Sequence, residues 1–122
     1  MVVVAIGSSA TKLAAFLGLP VESQLVENGA PLPRTKLYIP GSVLSARLDT
    51  SSVIASGMAE HTDVLFDDSP VFELGADAAA KGVTTIAWFD SKTPLRSGWA
   101  WGQSSYLENG VVAAEARLEG GR

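Results

Sequence analysis

The side chains best suited to nucleophilic chemistry lie near the start of the chain, in the segment Gly7–Ala10. This segment follows a β-branched apolar run, Val2–Ile6, and precedes a helical pattern over Ala10–Leu17. A serine on a sharp turn between a strand and a helix stands above the sheet, where the helix N-terminus stabilises an oxyanion. Ser8 or Ser9 occupies that place, although the second glycine of the usual G-x-S-x-G pattern is missing. The alternative interpretation is that both serines cap the helix.

The imidazole that usually activates such a serine could only be His61, the single histidine of the chain. Asp63 follows it two residues later. Ser8 or Ser9 with His61 and Asp63 would supply a nucleophile, a base and a residue that orients the base. This pattern gives the hypothesis of a serine hydrolase. The alternative is that His61 is a solvated residue of a polar loop.

The composition offers little to a metal ion. Asp63, Glu73 and the dipeptide Asp67-Asp68 could surround a hard cation, but they lack EF-hand spacing, and Asp67–Pro70 is typical of a turn. One histidine and no cysteine leave too few nitrogen and sulfur ligands for zinc. We therefore predict no metal site and no cofactor.

The segment Pro94–Gln103 is the most distinctive part of the chain, because Trp99 and Trp101 alternate in it with small residues. In an extended conformation the two indoles project from one face. They could form a stacking platform for a sugar or a peptide, with Arg96 beside them. They could equally be buried in the core or in a subunit interface, with the small residues allowing another backbone to approach.

The elements that must position these residues begin with a strand, a turn and a helix. Val2–Ile6 predicts a short strand buried on both faces, Ser8 and Ser9 are candidate N-caps, and Gly18 predicts the end of the helix. The remainder is mostly β-structure. Its predicted strands are Val43–Asp49, with Leu44, Ala46 and Leu48 on one face, then Val64–Phe66, Val71–Leu74, Val83–Phe89, Trp99–Leu107 and Val111–Leu118.

Between the last two predicted strands, Asn109-Gly110 is the strongest hairpin signal. These elements predict an α+β (α/β-like) fold, in which a mixed β-sheet carries one N-terminal strand–turn–helix unit. At 122 residues we expect one domain spanning 1–122, large enough to fold without disulfides.

The bulk properties exclude several classes of function. The net charge is −4 and the nine basic residues are scattered, so nucleic-acid binding is not expected. The first nineteen residues lack a basic region and a long apolar run, so neither a signal peptide nor a transmembrane helix is predicted, and no membrane partner is expected. The absence of cysteine removes thiolate chemistry, and it leaves the cellular compartment open.

The chain resembles the glutamine-amidotransferase-like region at the C-terminal end of bacterial zinc-carboxypeptidase-like metallopeptidases. The resemblance is carried by Val2–Leu19, Leu37–Met58 (LYIPGSVLSARLDTSSVIASGM), Asp63–Phe72 (DVLFDDSPVF) and Ala87–Gln103 (AWFDSKTPLRSGWAWGQ). It implies part of a class I glutamine amidotransferase sheet, with the Gly7–Ala10 turn standing where that superfamily carries its catalytic cysteine. The position holds serine here, so the resemblance implies no glutaminase activity, and the peptidase's zinc-binding portion is not matched.

From the residues and the resemblance together we expect a non-catalytic accessory or interaction domain. A partial sheet leaves strand edges and apolar faces uncovered, and self-association as a homodimer, through strand edges or the tryptophan segment, would cover them. The serine hydrolase and the sugar- or peptide-binding module remain as alternatives.

Overall fold

The computed structural model describes residues 2–118, and these form two helices and nine strands. The helices are α1 (Ser8–Phe16) and α2 (Gln103–Tyr106). The strands, in chain order, are β1 (Val21–Ser23), β2 (Val26–Glu27), β3 (Ala30–Pro31), β4 (Ser42–Leu48), β5 (His61–Phe66), β6 (Phe72–Leu74), β7 (Val83–Trp88), β8 (Leu95–Ser97) and β9 (Val111–Ala116).

Seven of the strands form one sheet in the order β1-β6-β9-β7-β4-β5, with β8 also paired to β4. Every pairing among the described strands is antiparallel. The predicted α+β class is confirmed at this coarse level, since a strand-rich sheet is accompanied by few helices. None of the helices in residues 2–118 is long and apolar enough to cross a membrane.

Strand β4 lies inside the sheet, and its alternating sequence explains why. Leu44, Ala46 and Leu48 are at most 7% exposed, as the predicted common face requires, while the residues between them turn to the opposite face. The core continues from this face to Phe66 and Phe89, whose ring centroids lie 6.2 Å apart. Burial of these apolar side chains is the main force that holds the sheet. The predictions for β4, β5 and β7 are confirmed.

The N-terminal segment differs from its prediction. Val2–Ile6 is not a strand, and Val2, Val4 and Ile6 are 79% to 86% exposed. A β-branched run becomes a buried strand only where neighbouring strands offer backbone partners and side-chain contacts. All strands of the main sheet come from later in the chain, and none pairs with this run. The helix itself is confirmed, ending at Gly18 with the two backbone bonds of a Schellman motif.

The C-terminal prediction is also wrong in part. Trp99–Leu107 is not one strand, because the chain turns after Trp101 into α2 and places Leu107 in the core. The Asn109-Gly110 dipeptide does not join a hairpin. Its backbone pairs instead with Phe89, through an Asn109 N–H to Phe89 carbonyl bond of 2.7 Å and a Phe89 N–H to Gly110 carbonyl bond of 2.9 Å. Strand β9 therefore pairs with β7.

The other Asn-Gly dipeptide of the chain, Asn28-Gly29, does form a hairpin. Asn28 and Gly29 join β2 to β3, with Glu27 paired to Ala30. Both turn residues have positive φ, 54° and 78°, as a type I′ turn requires.

Candidate functional site

The two candidate nucleophiles lie on the first turn of α1. Gly7 takes the N-cap position, and neither Ser8 nor Ser9 makes a side-chain cap hydrogen bond. The prediction that these serines cap the helix is therefore wrong, because the helix begins one residue earlier than a capping serine would require. Within residues 2–118 their hydroxyls form no hydrogen bond to the imidazole of His61 or to any other side chain.

His61 and Asp63 lie on β5 rather than in a loop, and both point to the outer, solvent-facing side of the sheet. The two do not pair with each other. The His61 Nε2 atom lies 2.7 Å from the Asp90 carboxylate, and the Asp63 carboxylate lies 3.3 Å from the Arg96 guanidinium. The predicted combination of Ser8 or Ser9 with His61 and Asp63 is thus not assembled by these contacts.

The Asp90 carboxylate belongs to an ion-pair network on this face. Arg47, directly opposite His61 in the register of β4 and β5, contacts Glu60 at 2.7 Å and Asp90 at 3.9 Å. Its guanidinium also lies 5.9 Å from the ring of Trp88. The network holds an imidazole beside a carboxylate, which is a base with an orienting residue. It has no hydroxyl nucleophile bonded to the imidazole in the described part of the chain.

Sequence reasoning missed Asp90 and Arg47. A signal was present, because Arg47 lies on the polar face of a predicted strand and Asp90 ends another. The sequence does not show that β4 lies between β5 and β7. Only this strand order brings Arg47 and Asp90 to His61.

The tryptophan segment alternates as predicted. Ala100 packs against the core, whereas Trp99 and Trp101 are 58% and 56% exposed. Burial of the two indoles in the core of this chain, one of the predicted alternatives, is therefore wrong. Large apolar rings on a surface are informative, because aromatic side chains usually bury their area.

The backbone that carries Trp99 is fixed by a buried serine. Ser42 is 2% exposed, and its hydroxyl accepts a hydrogen bond from the Trp99 N–H at 3.0 Å while it lies within donating distance of the Pro40 carbonyl. A buried serine with its hydrogen bonds satisfied holds its partners in one geometry. Trp99 is thus presented by a rigid backbone.

Trp101 is fixed by its neighbours on both the backbone and the ring. Its N–H and carbonyl exchange hydrogen bonds of 2.9 and 3.0 Å with Tyr38, and its ring Nε1 donates to the Thr35 carbonyl at 2.9 Å. Directly opposed residues of such a pair place their side chains on the same face. Tyr38, Trp99 and Trp101 therefore form one surface, which we call the aromatic platform.

Two arginines are candidate cations for the platform. Arg96 pairs with Asp63, while the Arg34 guanidinium lies 4.7 Å from the Tyr38 ring centroid. Lys36 also lies in this region and pairs with Glu27, whose hydrogen bond raises the pKa of the lysine above its ordinary value. Among the described ion pairs none uses Arg34.

Comparison of the chain with protein-family models, curated proteins and solved structures finds no match.

Two open cavities lie away from the platform. One, of about 560 Å³, includes Gln24, Lys92 and Tyr106 in its lining, and the other, of about 350 Å³, lies between the start of β1 and the end of β6. Neither contains His61, and within residues 2–118 no three His, Asp or Glu side chains converge as metal ligands would. The aromatic platform is therefore the most distinctive feature described so far. The candidate catalytic residues Ser8, Ser9, His61 and Asp63 are not brought together by hydrogen bonds or ion pairs.

Proposed function

We propose that this chain is a non-catalytic interaction domain that associates with a second copy of itself through residues 2–17, the N-terminal apolar segment. The observation that carries the proposal is that α1 has nine residues and buries none of them. A helix this short is marginal in water, and packing of an apolar face normally supplies its stability. Within one copy Ala10, Leu13 and Ala14 are only partly buried, and Phe16 is 86% exposed.

The exposed area of the segment fits a dimer interface. Six large apolar residues are exposed by 38% to 86%, namely Val2, Val3, Val4, Ile6, Phe16 and Leu17. With about 150–200 Å² for a fully exposed large apolar residue, they present on the order of 650–850 Å² to solvent, close to the roughly 800 Å² that each partner contributes to a stable interface. A second copy, which carries the same segment, is the occupant we infer.

The absence of catalysis is supported by the separation of the side chains that could react. His61 pairs with Asp90, Asp63 pairs with Arg96, and the hydroxyls of Ser8 and Ser9 bond to neither. There is no cysteine in the sequence to replace them.

We further infer that the scaffold is part of a class I glutamine-amidotransferase-like fold, on the strength of the sequence resemblance. In the structure, what supports this inference is the start of α1 at Ser8, directly after the Gly7 turn where that superfamily carries its cysteine. The antiparallel pairing of the described strands gives it no support. An experimental structure with Val2–Ile6 as a parallel strand of the sheet would favour the inference, and one with this run unpaired in the dimer would count against it.

Light scattering during size-exclusion chromatography tests the self-association. We expect a dimer at micromolar concentration for the 122-residue chain and for Leu65→Ser, since Leu65 is 77% exposed but lies on β5. We expect a monomer for Phe16→Ser. A monomer for the unmodified chain overturns the proposal, and dissociation by Leu65→Ser alone would move the interface to the edge of β5.

A separate experiment tests the absence of catalysis. We expect no labelling by a fluorophosphonate probe and no hydrolysis of p-nitrophenyl esters or glutamine. Labelling that disappears in Ser8→Ala or Ser9→Ala, and also in His61→Ala, would establish the serine hydrolase instead.

A further inference from the structure

We propose that the aromatic platform (Tyr38, Trp99, Trp101), together with Arg34, binds an oligosaccharide that carries carboxylate groups. This inference goes beyond self-association and does not depend on it, since the platform shares no residue with the N-terminal apolar segment. It rests on three observations: the exposure of the rings, the hydrogen bonds that order the backbone beneath them, and a cation beside Tyr38, Arg34, that forms none of the ion pairs among residues 2–118.

Both indoles are exposed, and hydrogen bonds order the chain beneath them. Trp99 and Trp101 are more than half exposed, yet Ser42 bonds to the backbone of the first and Thr35 accepts the ring N–H of the second. A surface that is already ordered loses little conformational entropy when a ligand binds. Exposed indoles on an ordered backbone suit a ligand that stacks on aromatic rings.

The charge at the edge selects for an acidic ligand. Lys36 pairs with Glu27, and Arg96 pairs with Asp63. Arg34 forms none of the ion pairs among residues 2–118, so its charge is left for a ligand. Its guanidinium lies 4.7 Å from the ring centroid of Tyr38, which is paired with Trp101. A guanidinium recognises a carboxylate through two parallel hydrogen bonds, which neither a hydroxyl nor an ester reproduces.

The hydrogen bonds at this surface favour a saccharide over a peptide. Extended peptides bind by adding to an open strand edge. The Tyr38–Trp101 pair already uses the backbone groups that an added strand would need. The Trp101 ring N–H is bonded to Thr35, so this indole offers its face and no donor. A pyranose ring has a face of C–H groups that stacks on an indole while its hydroxyls remain in water.

Isothermal titration calorimetry on the 122-residue chain tests the proposal with three probes: α-1,4-linked trigalacturonate, its fully methyl-esterified form, and an acidic proline-rich peptide. We expect trigalacturonate to bind at least roughly tenfold more tightly than its ester, the equivalent of one charge-assisted hydrogen bond. We expect no binding of the peptide.

Variants assign the effect to the platform. Arg34→Gln should reduce the affinity for trigalacturonate by roughly tenfold and leave the affinity for the ester unchanged. Trp99→Ala should weaken both saccharides. Lys81→Gln is the matched control, because it removes one positive charge in the turn before β7, and it should change neither. Circular dichroism confirms that each variant is folded, and Trp99→Tyr, which keeps a ring, replaces the alanine variant if that one does not fold.

Any one of four results would overturn the proposal. Absence of trigalacturonate binding excludes the platform as its site. Equal affinity for acid and ester, or an unchanged affinity in Arg34→Gln, removes the role of the charge. Binding of the peptide without the saccharide assigns the surface to a protein partner. All of these results concern ligand binding and leave the oligomeric state unchanged. A failure of the saccharide proposal is therefore distinguishable from a failure of the proposed dimer.

Discussion

Substituting alanine at Gly102 tests how closely the platform backbone is packed. Gly102 has φ 85°, and a Cβ there would overlap the carbonyl oxygen of Lys36. Gly57 has the same φ of 85° and no heavy atom within 4 Å of the position of a Cβ. The two glycines differ mainly in the space around them, so they form a matched pair.

The expected magnitudes follow from these two geometries. An L-residue in the left-handed region loses about 1–2 kcal/mol, which is the whole expected effect of Gly57→Ala. Gly102→Ala carries the same penalty, and displacement of the Lys36 backbone adds about 1–3 kcal/mol, as overpacking does. With an urea dependence of about 1–3 kcal/mol per molar, the additional destabilisation lowers the midpoint by on the order of 1 M.

Equilibrium urea unfolding followed by far-ultraviolet circular dichroism measures both variants against the unmodified chain. The expected result is a clearly lower midpoint for Gly102→Ala than for Gly57→Ala, with similar slopes. Equal midpoints would refute the close approach of this segment to Lys36, and with it the rigidity on which the platform depends.

Three further predictions concern stability, each measured by the same unfolding assay. Ser42→Ala should lower the free energy of unfolding by about 1–3 kcal/mol, because the buried Ser42 hydroxyl is the acceptor of the partly buried Trp99 N–H; a loss within error would contradict this. Leu44→Ala should cost about 2–5 kcal/mol as a core truncation. Asp77→Asn should lower the free energy of unfolding at neutral pH and leave it unchanged in acid. The Lys81 hydrogen bond lowers the pKa of Asp77 in the folded chain, so the stabilisation by this carboxylate is present above the unfolded carboxyl pKa of about 3.9. It is lost as pH falls through the lower folded pKa. A difference between Asp77→Asn and the parent chain that persists at pH 2 would contradict that assignment.

The parts of the fold that the sequence predicts are those that local pattern decides. The alternation of Leu44, Ala46 and Leu48 is sufficient to identify β4 and its buried face, and Gly18 is sufficient to end α1. The Val2–Ile6 run fails because strand formation depends on partners that the run itself does not specify.

The two Asn-Gly dipeptides show the same limit. Both Asn28 and Asn109 adopt positive φ, but only the first joins paired strands. After Asn109 the chain pairs with β7, because burial of Leu107 in the core ends the preceding segment as a helical turn. An Asn-Gly dipeptide alone therefore does not decide whether a hairpin forms, because the strand pairing around it depends on distant residues.

In the candidate site, too, some features follow from local sequence pattern and others depend on strand order. The shared face of Trp99 and Trp101 follows from their alternation with Ala100, but the alternation does not decide that this face is the exposed one. The partner of His61 does not follow from its neighbours along the chain, because Asp90 reaches it from the end of β7, across β4.

The most direct test of self-association uses the absence of cysteine, which allows a single thiol to be introduced as a reporter. Val4→Cys and Leu65→Cys place it at two sites where the native side chains are 79% and 77% exposed. The rate of maleimide labelling is measured over increasing protein concentration. We predict that the rate at Val4→Cys falls as the dimer forms while the rate at Leu65→Cys stays constant. Equal, concentration-independent rates at both positions would contradict an interface built from the N-terminal apolar segment.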